Sequence, residues 1–318
     1  MAPDSSPVRA ARLILHGEPL SVEPVDLPET GPDEVRVTLQ FGGINPIDRY
    51  TALGRVNPEA PLPRTLGGEA AGELDGRPVL VAGERLGGVR DGVWSQAAVV
   101  PAAAVVELPA GVQPRDAAAM GIAGLTALNC VRHLAAVTPE DRVLVLGASG
   151  GVGSMIVSLA RAAGATVWGQ TGSPEKVAAI VADGAQRAVV GGPEQIAAEI
   201  DQFEPTVAFD PLGGGFAAVL VQAVAPRGRI VSFGVSAGAE VTFNLQLLYR
   251  KMVSLLGYGG MIVARDERRA GLQEALEAVR AGELKVRIDE VLALERVNEA
   301  FARLVDRQVQ GNLLLDLS

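Results

Sequence analysis

The segment Val143-Leu144-Val145-Leu146-Gly147-Ala148-Ser149-Gly150-Gly151-Val152-Gly153 runs from a short apolar stretch into a glycine-rich turn. Within it, Ala148-x-Gly150-x-x-Gly153 has the spacing of a turn that cradles phosphate between a strand and a helix, with alanine at the first small position. Small residues allow the tight turn, Gly150 lets the backbone approach a pyrophosphate, and Gly153 permits close packing of helix on strand. The first turn of the following helix offers free N–H groups and partial positive charge. Ser149, Gly150, Gly151, Val152 and Gly153 are therefore the expected contacts of a dinucleotide. The chain holds 38 glycines, so the glycine pattern alone is weak. The strand before it, the helix after it and a second strand about 20 residues on give it weight.

The end of that second strand bears on which dinucleotide binds. Sites for NAD place an acidic side chain there, on the ribose 2′-hydroxyl. Here the segment is Gly169-Gln170-Thr171-Gly172-Ser173-Pro174-Glu175-Lys176, and the expected acidic position falls on Gln170 or Thr171. With no carboxylate there to repel a 2′-phosphate, Thr171 and Ser173 are candidate hydrogen-bonding groups and Lys176 a candidate charge, which favours NADPH. Ser173-Pro174-Glu175-Lys176 also reads as an ordinary helix N-cap with a solvated lysine, and the two readings are compatible.

These residues need elements to position them. Up to about Pro114, short β-rich segments (Arg12–Leu15, Glu34–Phe41, Val79–Ala82, Ala97–Val100 and Val105–Leu108) alternate with prolines and glycines, which predicts a β module. Asp116–Ala135 has helical composition. From Asp141 onward, apolar strands alternate with amphipathic helices as far as the strand Ser254–Tyr258, the pattern of a doubly wound parallel sheet. Helix Glu267–Ala281 and a mixed segment, Val286–Leu317, follow.

Composition excludes several classes. Apolar residues make up 48% of the chain, yet no run approaches the roughly 20 residues of a membrane span. A formal net charge of -9 makes the chain a poor partner for nucleic acid. One cysteine, Cys130, forbids an intrachain disulfide and a multi-thiolate metal site. The opening Met1-Ala2-Pro3-Asp4-Ser5-Ser6-Pro7 lacks the basic and apolar regions of a signal peptide, so a reducing, cytoplasmic setting is expected.

Together with the glycine-rich turn, further segments carry a resemblance: Gly43-Ile44-Asn45-Pro46-Ile47-Asp48, Gly67-Gly68-Glu69-Ala70-Ala71-Gly72, Ala118–Ala127, Phe209–Gly214, Gly228–Gly234 and Gln310–Leu315. The chain resembles, over nearly its whole length, the zinc-independent quinone oxidoreductase and enoyl reductase branch of the medium-chain dehydrogenase/reductase superfamily. The resemblance implies a GroES-like β domain over residues 1–120, completed by 262–318, and a Rossmann NADP(H)-binding domain over 121–261. It also implies a cleft between them with the nicotinamide at its floor, and a homodimer paired through the strand Ser254–Tyr258. The family's zinc-ligand cysteine and histidine correspond to Asn45 and Gly68, so no metal is expected; His16 and His133 read as structural.

The resemblance sets Asn45, Asp48 and Tyr50 on the loop facing the nicotinamide. Asn45 would orient the carboxamide or the substrate oxygen, and Tyr50 would donate a hydrogen bond or proton. Asp48 reads equally as a loop brace, because Asn-Pro-x-Asp is a good turn former. Thr126 matches a contact to the nicotinamide ribose or its phosphate, Phe233, Gly234, Val235 and Tyr258 line the nicotinamide face, and Asn312 closes the site from the tail. Without a Lewis acid, the expected reaction is hydride transfer from NADPH to a small, already electrophilic acceptor, a quinone or an α,β-unsaturated carbonyl compound. Two departures stand out. Val56 occupies the place of the tyrosine proton donor of mitochondrial-type enoyl thioester reductases, and the stretch from Gly72 to Trp94 is short. The alternatives are a 2-enoyl-thioester reductase and a nucleotide-binding protein without turnover.

Overall fold

A computed structural model describes residues 6–318; Met1–Ser5, part of the N-terminal stretch read above, lie outside the described residues. One compact unit takes the described residues of Met1–Leu125 together with Ala264–Arg280 and Ile288–Ser318. Its first strands are β1 (Val8–Leu13), β2 (Ser21–Val25), β3 (Glu34–Ile44), β4 (Arg64–Thr65), β5 (Glu69–Leu74), β6 (Arg77–Ala82), β7 (Ala97–Pro101) and β8 (Val105–Glu107). β1 pairs with β2 and β4 in a small sheet, and its pairing ends at Leu13 opposite Arg64. The strand expected over Arg12–Leu15 therefore lies earlier, and Ile14 and Leu15 are exposed.

β3 is long enough to pair with β5 near one end and with β7 near the other. β5 turns back into β6 through Asp75-Gly76, both at positive φ, the two-residue turn whose twist suits a hairpin. Helices α1 (Pro46–Ala52) and α2 (Pro114–Ala117) complete this part. The core gathers Leu13, Val37, Leu39, Leu66, Val79, Val81 and Trp94.

The expected helix over Asp116–Ala135 is broken. After α2 come a wide i→i+5 turn at Met120–Gly124, α3 (Leu125–Leu128), and a second wide turn at Asn129–Leu134. The first of these turns frees the Ile122 N–H to reach the Glu69 carboxylate at 2.8 Å. Gly121 is needed there, because a Cβ would lie 2.6 Å from Glu69 Oε2.

The second unit is Thr126–Val263 with Ala281–Arg287. It runs β9 (Arg142–Val145), α4 (Gly151–Ala162), β10 (Thr166–Thr171), α5 (Val177–Asp183), β11 (Arg187–Val190), α6 (Pro193–Phe203), β12 (Val207–Asp210), α7 (Gly214–Ala223), β13 (Arg229–Ser232), α8 (Leu245–Lys251) and β14 (Ser254–Gly257). All six strands are parallel, in the order β11-β10-β9-β12-β13-β14. This is the doubly wound Rossmann arrangement, whose strand order reverses between β9 and β12. β9 is fully apolar after Arg142 because its position in mid-sheet buries both faces.

The chain then returns to the first unit through α9 (Arg265–Arg280), β15 (Ile288–Ala293), α10 (Val297–Val305) and β16 (Asn312–Asp316). β16 runs antiparallel to β3, pairing Leu313 with Ile44 and Asp316 with Phe41, and β15 runs parallel to β16. A GroES-like β unit and a Rossmann unit make up the α/β fold.

Candidate active site

In the Rossmann unit the chain leaves β9 through a turn in which Gly147 has φ +59°. The Gly147 N–H donates to Gln170 Oε1 at 3.0 Å, the Ala148 N–H donates to the Gln170 carbonyl at 2.9 Å, and Gln170 Nε2 donates to the Gly191 carbonyl at 2.8 Å. Gln170 is thus a buried clamp on the turn, and its side chain is not available to a ribose. That use of Gln170 was not legible from the sequence, where it read only as a missing carboxylate.

A Cβ on Gly153 would lie 2.3 Å from the Gly147 carbonyl, so glycine is what lets α4 start so close to the turn. At Gly150 a Cβ would meet nothing nearer than 3.5 Å, so the chain's own packing does not require glycine there. Approach of a ligand is the remaining physical reason. Gly150 is the N-cap of α4 and no side chain caps it, which leaves the first N–H groups of a 12-residue helix for an anion. Ser149 is buried, and Gly151 and Val152 are half-buried. The turn fits a dinucleotide pyrophosphate.

At the end of β10, Thr171 is buried and its Oγ accepts the Ser173 N–H at 3.3 Å. Ser173 does not cap the next helix; its hydroxyl donates to Glu175. Lys176 is buried and not the solvated side chain expected. Phe233, Gly234 and Val235 follow β13, with Val235 exposed. Tyr258 follows β14, and its hydroxyl accepts from Asn129 Nδ2 at 3.4 Å. The turn after β9, Thr171, Phe233–Val235 and Tyr258 thus sit beyond the carboxyl ends of parallel strands, where open sheets of this kind bind ligands. Thr126 lies on α3, half-buried, on none of these strand ends.

A carboxyl group that sequence reasoning passed over ends β12. Asp210 is fully buried, its Oδ1 accepts the N–H groups of Leu212 and Gly213 at 2.8 and 2.9 Å, and its Oδ2 has no partner. Burial holds its pKa above the usual carboxylate range.

In the GroES-like unit, Asn45 is the extended N-cap residue of α1, followed by Pro46 at the first helical position. The Asn45 N–H donates to Asp48 Oδ2 at 2.8 Å and the Asp48 N–H donates to the Asn45 carbonyl at 3.1 Å. Asp48 therefore braces the loop. Asn45 Nδ2 donates to Glu69 Oε1 at 2.5 Å. Glu69 opens β5, and nothing in the sequence beyond its place in the segment Gly67–Gly72 marks it as a partner of Asn45. Burial pushes the Asp48 carboxyl up to about 7, against the lowering effect of the Asn45 and Gly68 N–H groups. Burial likewise pushes Glu69 up to about 8, with Asp48's charge adding to it.

The bed beneath is built from glycine and one indole. Cβ atoms on Gly42 or Gly67 would lie 2.7 or 2.3 Å from the Trp94 ring, and Trp94 Nε1 donates to the Gly43 carbonyl at 3.1 Å. At Gly68 a Cβ would have ordinary clearance, 3.4 Å from Ile122 Cδ1 and 3.7 Å from Asp48 Oδ1. Tyr50 is half-buried on α1, two residues beyond Asp48. The register that pairs Leu313 with Ile44 sets the buried Asn312 beside Asn45. His16 contacts the Pro58 carbonyl through Nε2 at 3.2 Å, and His133 lies in the second wide turn. Among the described residues, no group of three or more His, Cys, Asp or Glu is placed to hold a metal ion.

A Rossmann sheet with a bare pyrophosphate turn, joined in one chain to a GroES-like unit, defines the class of nicotinamide-dependent oxidoreductases. Comparison with known proteins agrees. Residues 151–278 match the Zinc-binding dehydrogenase family. A Quinone oxidoreductase of Pseudomonas aeruginosa is 30% identical over 300 residues, covering 90% of this chain and 92% of the relative. Quinone oxidoreductase 1 of Escherichia coli is 29% identical over 317 residues, covering 94% and 97%. The crystal structure of a quinone oxidoreductase from Pseudomonas syringae pv. Tomato superposes with TM-score 0.85 at 29% identity, covering 97% of this chain and 99% of that one. The chain belongs to the quinone oxidoreductase-like branch of the medium-chain dehydrogenase/reductase family. It is an oxidoreductase of that type, in a family that binds nicotinamide dinucleotides.

Proposed function

We propose that this chain uses NADPH to reduce a quinone or an α,β-unsaturated carbonyl compound, without zinc, as a homodimer in a reducing cytoplasmic compartment. The Rossmann unit binds the cofactor and the GroES-like unit binds the acceptor. The observation that carries the reading is the bare turn at 147–153, with an N-cap glycine its own packing does not require. When bound, the nicotinamide supplies hydride. Conjugation in the acceptor carries the developing charge to oxygen, so the protein needs donors and orientation rather than a Lewis acid. Asn45 and Tyr50 provide the polar groups, Asp48 fixes Asn45's backbone, and Asn312 stands beside it. Thr126, Phe233, Gly234, Val235 and Tyr258 are assigned to the nicotinamide end.

For the 2′-phosphate, Ser173 and Lys176 supply a hydroxyl and a positive charge, with Thr171 holding the Ser173 backbone. Binding would draw the Ser173 hydroxyl away from Glu175. The zinc-free reading rests on the donors themselves: Asn45 offers a neutral amide and Gly68 no side chain where the family's ligands stand. The homodimer reading rests on β14, one of the two edge strands of the parallel sheet. Leu255 on it is 50% exposed, and Leu245, Tyr249, Met252, Met261 and Ile262 nearby in the chain are also exposed. Among the described residues, no helix is long and apolar enough to cross a membrane.

NADPH consumption with 9,10-phenanthrenequinone, 1,4-benzoquinone, a simple enone and crotonyl-CoA tests the function. Turnover of quinones or the enone supports it. Turnover confined to crotonyl-CoA would replace it with a thioester reductase.

A further inference from the structure

Both groups assigned to the 2′-phosphate already serve an acid. Ser173 lies half-buried two residues past the end of β10, and its hydroxyl donates to the Glu175 carboxylate. The Glu175 backbone N–H donates to the same carboxylate, and Lys176 sets its positive charge against it. The Ser173 hydroxyl above all, with that N–H and the Lys176 charge, holds the carboxyl below the usual carboxylate range, so it is ionised at neutral pH. The sequence has no acid at Gln170 or Thr171, the strand end where a site for NAD places one. The fold brings one to the Ser173 hydroxyl from the turn Pro174–Lys176 instead. Glu175 itself is exposed, so its side chain is able to swing into solvent without moving the backbone.

We propose that Glu175 sets the cofactor preference: its carboxylate takes the ribose 2′-hydroxyl of NADH and must leave Ser173 before a 2′-phosphate binds, which narrows the preference for NADPH without abolishing it. The inference rests on the reading of Ser173 and Lys176 as the 2′-phosphate contacts. A serine hydroxyl has one proton to donate. That proton goes to Glu175 or to a phosphate oxygen, not to both, and a phosphate on Ser173 would stand against a carboxylate of the same sign. NADPH binding therefore costs the Ser173–Glu175 hydrogen bond and turns Lys176 from one anion to another. NADH carries a neutral hydroxyl at the same position. It donates to the carboxylate's remaining lone pairs and leaves the Ser173 bond in place.

Glu175→Gln tests this on the full chain, because the amide oxygen still accepts from Ser173 while the charge is gone. Dissociation constants for NADPH and NADH are read by cofactor fluorescence, and that of 2′,5′-ADP, which lacks the nicotinamide, by displacement of NADH. Lys176→Ala is measured alongside. We expect NADPH and 2′,5′-ADP to bind the Glu175→Gln variant about fivefold more tightly than the wild type, and NADH about fivefold more weakly. The tightening should shrink as salt is raised from about 0.05 to about 0.5 M, as for exposed charges a few ångströms apart. A ratio of NADPH to NADH affinity that Glu175→Gln leaves unchanged, or moves toward NADH, overturns the proposal. If Lys176→Ala weakens NADPH binding in that same case, the 2′-phosphate reading stands without it. If instead Lys176→Ala leaves NADPH binding unchanged while Glu175→Gln still weakens NADH, the 2′-phosphate reading falls and the contact of Glu175 with the hydroxyl stands.

Discussion

Asp48 and Glu69 are acids held in the protein interior, and none of the described residues forms a salt bridge to either. Burial raises both, to about 7 and about 8, so the native state holds their protons more tightly than the unfolded chain does. Their contribution to stability is complete below the unfolded carboxylate range, near pH 4, and is lost as pH rises through 7 to 8. Thermal melts should therefore show Tm declining between about pH 5 and pH 9. Glu69→Gln should flatten the decline, so the variant gains on the wild type as pH rises. Parallel curves for the two proteins would contradict the assignment. In the Rossmann unit, Lys176→Ala should weaken NADPH binding about tenfold, as expected for one charge-assisted hydrogen bond, and leave NADH binding unchanged. Titration by cofactor fluorescence reads both. Equal affinities for the two cofactors in the wild type would remove the 2′-phosphate assignment.

At the scale of elements, the strand–turn–helix of β9 and α4 was readable in the sequence because each of its requirements is local. An apolar strand, small residues in the turn and a helix start leave their marks within a dozen positions. β5 was not readable. Its sequence Glu-Ala-Ala-Gly-Glu-Leu has little β character, because β3 lies so close that a Cβ on Gly72 would stand 2.0 Å from the Thr38 carbonyl. The Gln170 clamp and the pairing of Glu69 with Asn45 were hidden for the same reason, since each joins residues far apart in the chain. The clamp can be tested as an element. Gln170→Ala leaves the Gly147 N–H and the Gly191 carbonyl without side-chain partners, at a cost of about 1–3 kcal/mol. We expect a lower Tm and weaker binding of NADPH and NADH by the same factor. A loss confined to one cofactor would mean that Gln170 reads the ribose after all.

For the whole molecule, the sheet orders explain why the fold class was legible while its details were not. Alternating strands and helices predict a doubly wound sheet, and the Rossmann unit has one in the order β11-β10-β9-β12-β13-β14. The pairing of β16 with β3 was not legible, as no local pattern in Asn312–Asp316 names its partner. The open edge at β14 bears on assembly. Leu255→Lys places a charge where the monomer already exposes the side chain, so it should leave the far-UV circular dichroism unchanged while converting the proposed dimer to a monomer by light scattering. Hydride transfer from NADPH to a conjugated carbonyl acceptor is the step proposed for the molecule as a whole. The most direct test is single-turnover oxidation of NADPH by 9,10-phenanthrenequinone, with the transferable hydrogen at C4 of the nicotinamide as protium or deuterium. Oxidation well above the rate without protein, slowed severalfold by deuterium, is expected; tight binding of NADPH with no oxidation would contradict hydride transfer.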